Sequence, residues 1–154
     1  MRIAAADPDS LDARRLIAQL DTALAAITGD SGASSFDAND VRGPGAVFLL
    51  AWDSQGKAVG CGALRPLDAA LPGQAGEIKR MYAQPGSGAG VHLLAALQQH
   101  ALDYSYRELL LSTRRVNARA VDFYRRHGYS DVAPYGRYID RPASVCLGRS
   151  LTNA

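Results

Sequence analysis

Hydrophobic positions along this chain switch repeatedly between the short runs and alternation of strands and the three-to-four spacing of helices. Arg2 to Ala6 reads as a short first strand, closed by Asp7-Pro8-Asp9. Leu16, Ile17, Leu20, Leu24 and Ile27 then recur at helical spacing, with Arg14, Arg15, Gln19 and Asp21 off that stripe. Ser10 or Asp9 can cap this helix, which the pattern places from about Leu11 to Ile27. Gly29 to Gly45 breaks the rhythm, being rich in Gly, Ser, Asp and Asn. A connection that long in a small chain is either a lid or substrate loop or a simply mobile one. Phe36 is its one large apolar residue and reads as an anchor, and Asp37 or Asn39 can start a short helical turn.

Ala46–Trp52 (AVFLLAW) and Lys57–Leu64 (KAVGCGAL), joined by the turn Asp53-Ser54-Gln55-Gly56, read as an antiparallel hairpin. Gly60 and Gly62 fall at period two and leave one face bare, where a helix or ligand can approach closely. Pro66 to Gly73 is a loop. Gly76–Ala83 (GEIKRMYA) is the next strand, followed by a turn of small residues, PGSGAG, and an apolar-periodic helix over about 88–103. Arg107–Ser112 (RELLLS) reads as a strand buried on both faces. Asn117–His127 is a short helix stopped by Gly128. Tyr129–Ala133 and Ser144–Leu151 are closing strands around the loop PYGRYIDRP. The order is β-α-β-β-β-α-β-α-β-β, in a single domain over residues 1–154 with no internal repeat.

The strand, turn and helix from Gly76 to His100 carry the first chemical signal. Backbone N–H groups in the first turn of a helix have no intrahelical partner, so they form a natural anion site. Gly86, Gly88 and Gly90 leave room for a phosphate to reach that backbone. Their G-x-G-x-G spacing matches neither the dinucleotide fingerprint nor the Walker pattern. By itself the stretch is either an anion site or an ordinary turn.

Composition narrows the picture. A chain of 154 residues, 47% hydrophobic and 21% charged, suits a soluble domain with one core. No apolar run approaches the ~20 residues needed to span a bilayer. Acidic residues sit where a signal peptide would have its apolar centre, so the expected location is cytoplasmic and no membrane partner is expected. Cys61 and Cys146 lie far apart in apolar runs and read as buried, reduced thiols. His92, His100 and His127 are scattered without ligand spacing, so no metal is expected. A net charge of +2 is too small to indicate nucleic acid. Arg114, Arg115, Arg119, Arg125 and Arg126 nevertheless crowd into one region, as a solvated helix face or as an attraction for an anionic ligand.

The element order, IKRMYA followed by GSGAG and LLAAL, and Asn117 with Tyr124 in NARAVDFYRRHGY resemble the GNAT superfamily of N-acetyltransferases, enzymes that use acetyl-coenzyme A. The resemblance runs from Arg2 to Leu151, and the closing YGRY and SVCLGRSL are similar to a group of small bacterial members. It implies an α/β (α+β) fold: a mixed, mostly antiparallel, splayed sheet of six to seven strands flanked by three to four helices. The fourth and fifth strands would part to admit the cofactor. It also implies transfer of an acetyl group to a primary amine of a small molecule or peptide, by direct attack in a ternary complex. A non-catalytic acyl-CoA-binding or sensor module of the same fold is the alternative. Either would act as a monomer or homodimer, with no nucleic-acid partner.

On that resemblance Met81, Tyr82 and Ala83 pair with the pantetheine arm through their backbone. Gly86, Ser87, Gly88, Ala89, Gly90 and Val91 would hold the pyrophosphate. Pro85 stands where the family pattern has Arg or Gln, and the lead from Ala83 to Gly86 is shorter than usual. Asn117 is expected on the pantetheine arm or its adjoining backbone. Tyr124, two helical turns on and so on the same face, would be the general acid that protonates the departing thiolate. From the pattern alone, Tyr124 is half of a Phe-Tyr core pair. An attacking amine must be neutral, and the resemblance puts the Glu77 carboxylate where some members keep a base; a paired or solvated glutamate is the other reading. The developing oxyanion would fall to a backbone N–H of Tyr82 or Ala83. Phe36, Tyr135 and Tyr138 would wall the acceptor pocket, or merely cover the sheet edge.

Overall fold

In a computed structural model of the chain, seven strands form one sheet in the order β1-β2-β3-β4-β5-β7-β6. Residues 1–67 and 74–151 are described, and the seven strands and three α-helices are counted among them. The strands are β1 (Arg2–Ala5), β2 (Val47–Trp52), β3 (Ala58–Pro66), β4 (Ala75–Ala83), β5 (Glu108–Arg114), β6 (Ser130–Asp131) and β7 (Ser144–Ser150). Three α-helices accompany them: α1 (Leu11–Thr28), α2 (Ala89–Asp103) and α3 (Ala118–Arg126). β4 and β5 pair in parallel, while the other neighbours are antiparallel. This is the mixed, mostly antiparallel sheet expected from the sequence. Most of the Pro66–Gly73 loop, and residues 152–154, lie outside the described residues.

Local chemistry fixes the helix ends. The Ser10 side chain accepts a hydrogen bond from Ala13 N–H at the start of α1, satisfying a first-turn donor. Gly29, in the left-handed region at φ 80, closes the other end with its N–H on the Ala25 carbonyl. Asn117 caps α3 by accepting from Ala120 N–H. The α1 stripe divides along its length. Leu16 and Leu20 are buried, whereas Ile27, expected on the core face, is 46% exposed. In the last turns of α1 it is Leu20, Leu24 and Thr28, and not Ile27, that line the opening in the sheet.

β6 is shorter than expected. The Tyr129 N–H bonds back to the Tyr124 carbonyl, finishing α3, and Ser130 and Asp131 pair with β7, followed by one bond from Val132 N–H to the Cys146 carbonyl.

Two apolar layers sandwich the sheet. On one face, Ala13 and Leu16 of α1 pack on Phe48, Leu50, Cys61 and Ala63. On the other, Leu93, Leu94 and Leu97 of α2 meet Leu49, Leu64, Ile78 and Leu111, with Tyr124 of α3 alongside. Each fully buried leucine contributes about 1.5–3 kcal/mol relative to exposure. The bare face of β3 is what lets α2 settle so close. A Cβ on Gly60 would lie 2.9 Å from both Leu93 Cδ1 and the Tyr82 carbonyl oxygen, and one on Gly62 3.0 Å from Leu97 Cδ1. The small residues therefore serve helix packing. Gly60→Ala should lower the free energy of unfolding in urea by about 1–3 kcal/mol, because the Tyr82 backbone oxygen cannot move aside as a side chain can. A stability equal to the parent chain would show that α2 does not sit this close.

Candidate active site

The parallel β4–β5 pairing lasts only from Ala75↔Glu108 to Glu77↔Leu110. Beyond Glu77, β4 continues to Ala83 with no strand on that side, while β5 stays paired with β7 to Arg114↔Ser144. The two strands part, and a cleft opens between them.

At the same level β4 is bulged. Cys61 opposes Tyr82 and Ala63 opposes Lys79, so Arg80 and Met81 together face the single residue Gly62. Arg80 takes a left-handed conformation at φ 51, a strain of about 1–3 kcal/mol that the surrounding contacts must offset. The bulge turns two consecutive side chains, Lys79 and Arg80, toward the α1 face. Arg80 is held by an ion pair with Asp21 of α1 and a 3.2 Å bond to the Ser31 carbonyl. Lys79 Nζ donates to Ser35 Oγ at 3.1 Å and to Tyr138 Oη at 2.9 Å.

The cleft has a volume of about 170 Å³. Met81, Asn117, Tyr124 and Tyr138, four of the residues expected at the site, line it together with Lys79 and Arg80. Tyr124 is 6% exposed, in edge contact with Phe123 and Tyr129. Its hydroxyl has no hydrogen-bond partner among the described residues, yet no fully buried side-chain oxygen there lacks one. The hydroxyl therefore opens onto the cleft. Burial holds the phenol above its ordinary acidity range, so it keeps its proton.

Beyond the cleft, at the end of β4, lies the glycine turn. Gly86 and Gly88 are both left-handed, at φ 78 and 72, and a Cβ on either would meet nothing within 4 Å. Ser87 N–H bonds the Gln84 carbonyl and Ser87 Oγ accepts from Ala89 N–H, so these two expected donors are used internally. Gly88, Gly90 and Val91 N–H have no partner among the described residues.

A sequence model of the acetyltransferase (GNAT) family matches residues 14–129. The chain belongs to that family. An IAA acetyltransferase of Azospirillum brasilense is 33% identical over 140 residues, covering 89% of each chain. A Klebsiella pneumoniae structure described as an acyl-CoA N-acyltransferase superposes with TM-score 0.79 at 29% identity, covering 98% of this chain and 97% of that one. An aminoglycoside 6'-N-acetyltransferase solved with coenzyme A shares the fold at TM-score 0.70 and 14% identity, over 100% and 99% of the two chains.

Three residues expected at the site of this GNAT chain lie elsewhere. Glu77 is 2% exposed, and both carboxylate oxygens are engaged. Oε1 accepts from Arg65 Nη2 at 2.8 Å, and Oε2 accepts from Tyr135 Oη at 2.7 Å. Arg65 also pairs with Asp40 at 2.5 Å. Glu77 thus sits on the last paired rung of β4 as part of a closed network, outside the cleft lining. Tyr135 is committed to that network. Phe36 packs against the α1-side core, so it anchors its loop and does not line the cleft. The sequence reading missed Lys79 and Arg80. Two adjacent charges inside an otherwise apolar strand were the available signal, since a regular strand would bury one of them on each face.

Glu77→Gln should lower stability by about 3 kcal/mol, because it leaves Arg65 partly uncompensated in a buried setting. Tyr135→Phe should lower it by about 1.5–3 kcal/mol through the lost bond to a charge. Thermal unfolding checks both. A Glu77→Gln variant with parent stability but a lost acid limb in its rate profile would reinstate Glu77 as a base.

Proposed function

We propose that this protein is an N-acetyltransferase that moves the acetyl group of acetyl-CoA directly onto a primary amine of a small molecule or peptide. The observation that carries this reading is the Tyr124 hydroxyl, protonated and without a partner among the described residues, facing the cleft where β4 and β5 part. The same residues fit the coenzyme. Ile78 to Ala83 present one edge of β4 without a strand, so an extended amide-bearing arm can lie against it as a strand would. Gly88, Gly90 and Val91 supply free N–H groups at the start of α2, where the helix dipole favours an anion. Pro85 brings no N–H, so it adds no donor to this set. The coenzyme, when bound, supplies the activated thioester.

The chain's own residues then have separate tasks. Backbone N–H groups at the splay, from Tyr82 or Ala83, stabilise the negative charge that grows on the thioester oxygen. The C–N bond forms as the C–S bond breaks, and Tyr124 gives its proton to the departing sulfur. The proton shed by the amine returns to Tyr124 through solvent in the cleft. Burial keeps Cys61 fully protonated, its thiol pushed up to about 12, and favours direct transfer over a cysteine-bound route.

Acetyl-CoA should raise the melting temperature, and mixing with an amine panel should release free thiol. Stabilisation without thiol release from any amine would instead support a non-catalytic acyl-CoA-binding module. Tyr124→Phe should reduce kcat about 100-fold with acetyl-CoA affinity retained. Because the acid form is the active one and burial raises the pKa, the rate should climb with pH as the amine deprotonates. Tyr124 should cause no alkaline fall below its ordinary value of about 10. An unchanged kcat in the Phe variant would remove the acid role.

A further inference from the structure

The wall of the cleft that faces α1 is strongly cationic. Among the described residues, five lining side chains are cationic (Lys79, Arg80, Arg114, Arg137 and Arg141) against a single carboxylate, Asp30. Asp21 neutralises Arg80, and Asp30 pairs with Arg114 at 2.9 Å. Asp30 is held below the usual carboxylate range, first by the Gly32 N–H and then by Arg114, Arg137 and Arg141. Lys79, Arg137 and Arg141 have no carboxylate partner among the described residues. Lys79 is only 9% exposed, and among the described residues its ammonium meets two neutral hydroxyls and, at 5.6 Å, the Tyr138 ring, but no carboxylate. A buried ammonium without a counter-charge is costly, and a ligand that supplies one recovers that cost.

We infer that the acceptor is a small amine that also carries a carboxylate, an amino acid or a close derivative, with the carboxylate on Lys79 and the rim arginines. The inference rests on the acetyltransferase reading above. Position separates this charge from the coenzyme's. Lys79 is tied to Ser35 and Tyr138, whose loops lie on the α1 side. The glycine turn belongs to the opposite face, where a Cβ on Gly90 would meet Phe123 of α3 at 3.5 Å. The cations also do useful work on the nucleophile, since like charge favours the neutral amine and reduces the need for a dedicated base. A polycationic acceptor is disfavoured for the same reason, despite the fold shared with an aminoglycoside acetyltransferase.

The test compares amino acids, their matching carboxamides, spermidine and an aminoglycoside. Turnover is read by thiol release, and binding to the CoA-loaded protein is read by calorimetry. The acids should exceed their amides by about tenfold in kcat/KM or in affinity, with the margin shrinking as salt rises. Lys79→Gln should raise KM for the acid about tenfold and leave the amide nearly unchanged. Arg141→Gln, at an exposed position, gives the same comparison if the Lys79 variant folds poorly. Equal use of acid and amide, a preference for the polycations, or a rise in KM for acetyl-CoA alone would overturn the inference. Absence of thiol release from every amine would sink the acetyltransferase reading, while calorimetry would still report the charge preference on its own.

Discussion

The constraint that shapes this molecule is the loss of β5 as a partner for β4 beyond Glu77. A sheet that parts in its middle leaves backbone donors and acceptors unpaired, which is normally a liability. The chain contains it from both sides. β5 is held on its far edge by β7 along its whole length, from Glu108↔Ser150 to Arg114↔Ser144, which fixes its course away from β4. β4 keeps β3 on its other edge and is locked at its last parallel rung by the network of Glu77, Arg65, Asp40 and Tyr135. The ion pairs there mark where pairing ends. They act as a hinge pin for the opening, which explains why a carboxylate so close to the cleft is unavailable to it.

The bulge at Arg80 sets how the two faces of the opening differ. A regular strand would send Lys79 and Arg80 to opposite sides, placing one charge in the apolar layer under α2 and α3. With Arg80 left-handed, both point toward α1, and Ile78 and Met81 remain with the opposite layer. One side of the cleft is therefore apolar, bounded by Tyr124 and approached from the start of α2. The other is polar and cationic, bounded by the loops around Ser35 and Tyr138. That separation suits the acyl donor and charged acceptor proposed above.

Much of this was legible in the sequence, for identifiable reasons. Strand and helix periods, the Ser10 cap and Gly29 stop, and the paired glycines of β3 are local signals, and each corresponds to an element or a packing contact. Asn117 and Tyr124 were readable because two helical turns return a residue to the same face. The failures come from non-local geometry. Ile27 fits the α1 stripe, but its spacing does not reveal that Leu24 and Thr28 carry the inner face of the last turns and leave it exposed. Glu77, Tyr135 and Phe36 have the chemistry of site residues. Whether they face the cleft depends on Arg65 across β3 and on loop packing that no periodicity encodes. Lys79 and Arg80 were hidden by the opposite problem, because a bulge overrides the alternation from which their facing would be judged.

Burial of Tyr124 poses a question about proton transfer that the cleft itself answers. A phenol above its ordinary pKa is a poor acid toward a thiolate in water. If Tyr124 is the acid proposed above, the sulfur would leave into a cleft that Met81, Leu111 and Ala120 also line. Desolvation destabilises a thiolate as it does a phenolate, so the two acidities rise together and the gap between them stays small. What burial adds, on that proposal, is certainty of protonation state: the donor stays loaded for the moment the C–S bond breaks. That makes the position of the Tyr124 hydroxyl, held by Phe123 and Tyr129 and left without a partner among the described residues, more consequential than its intrinsic acidity.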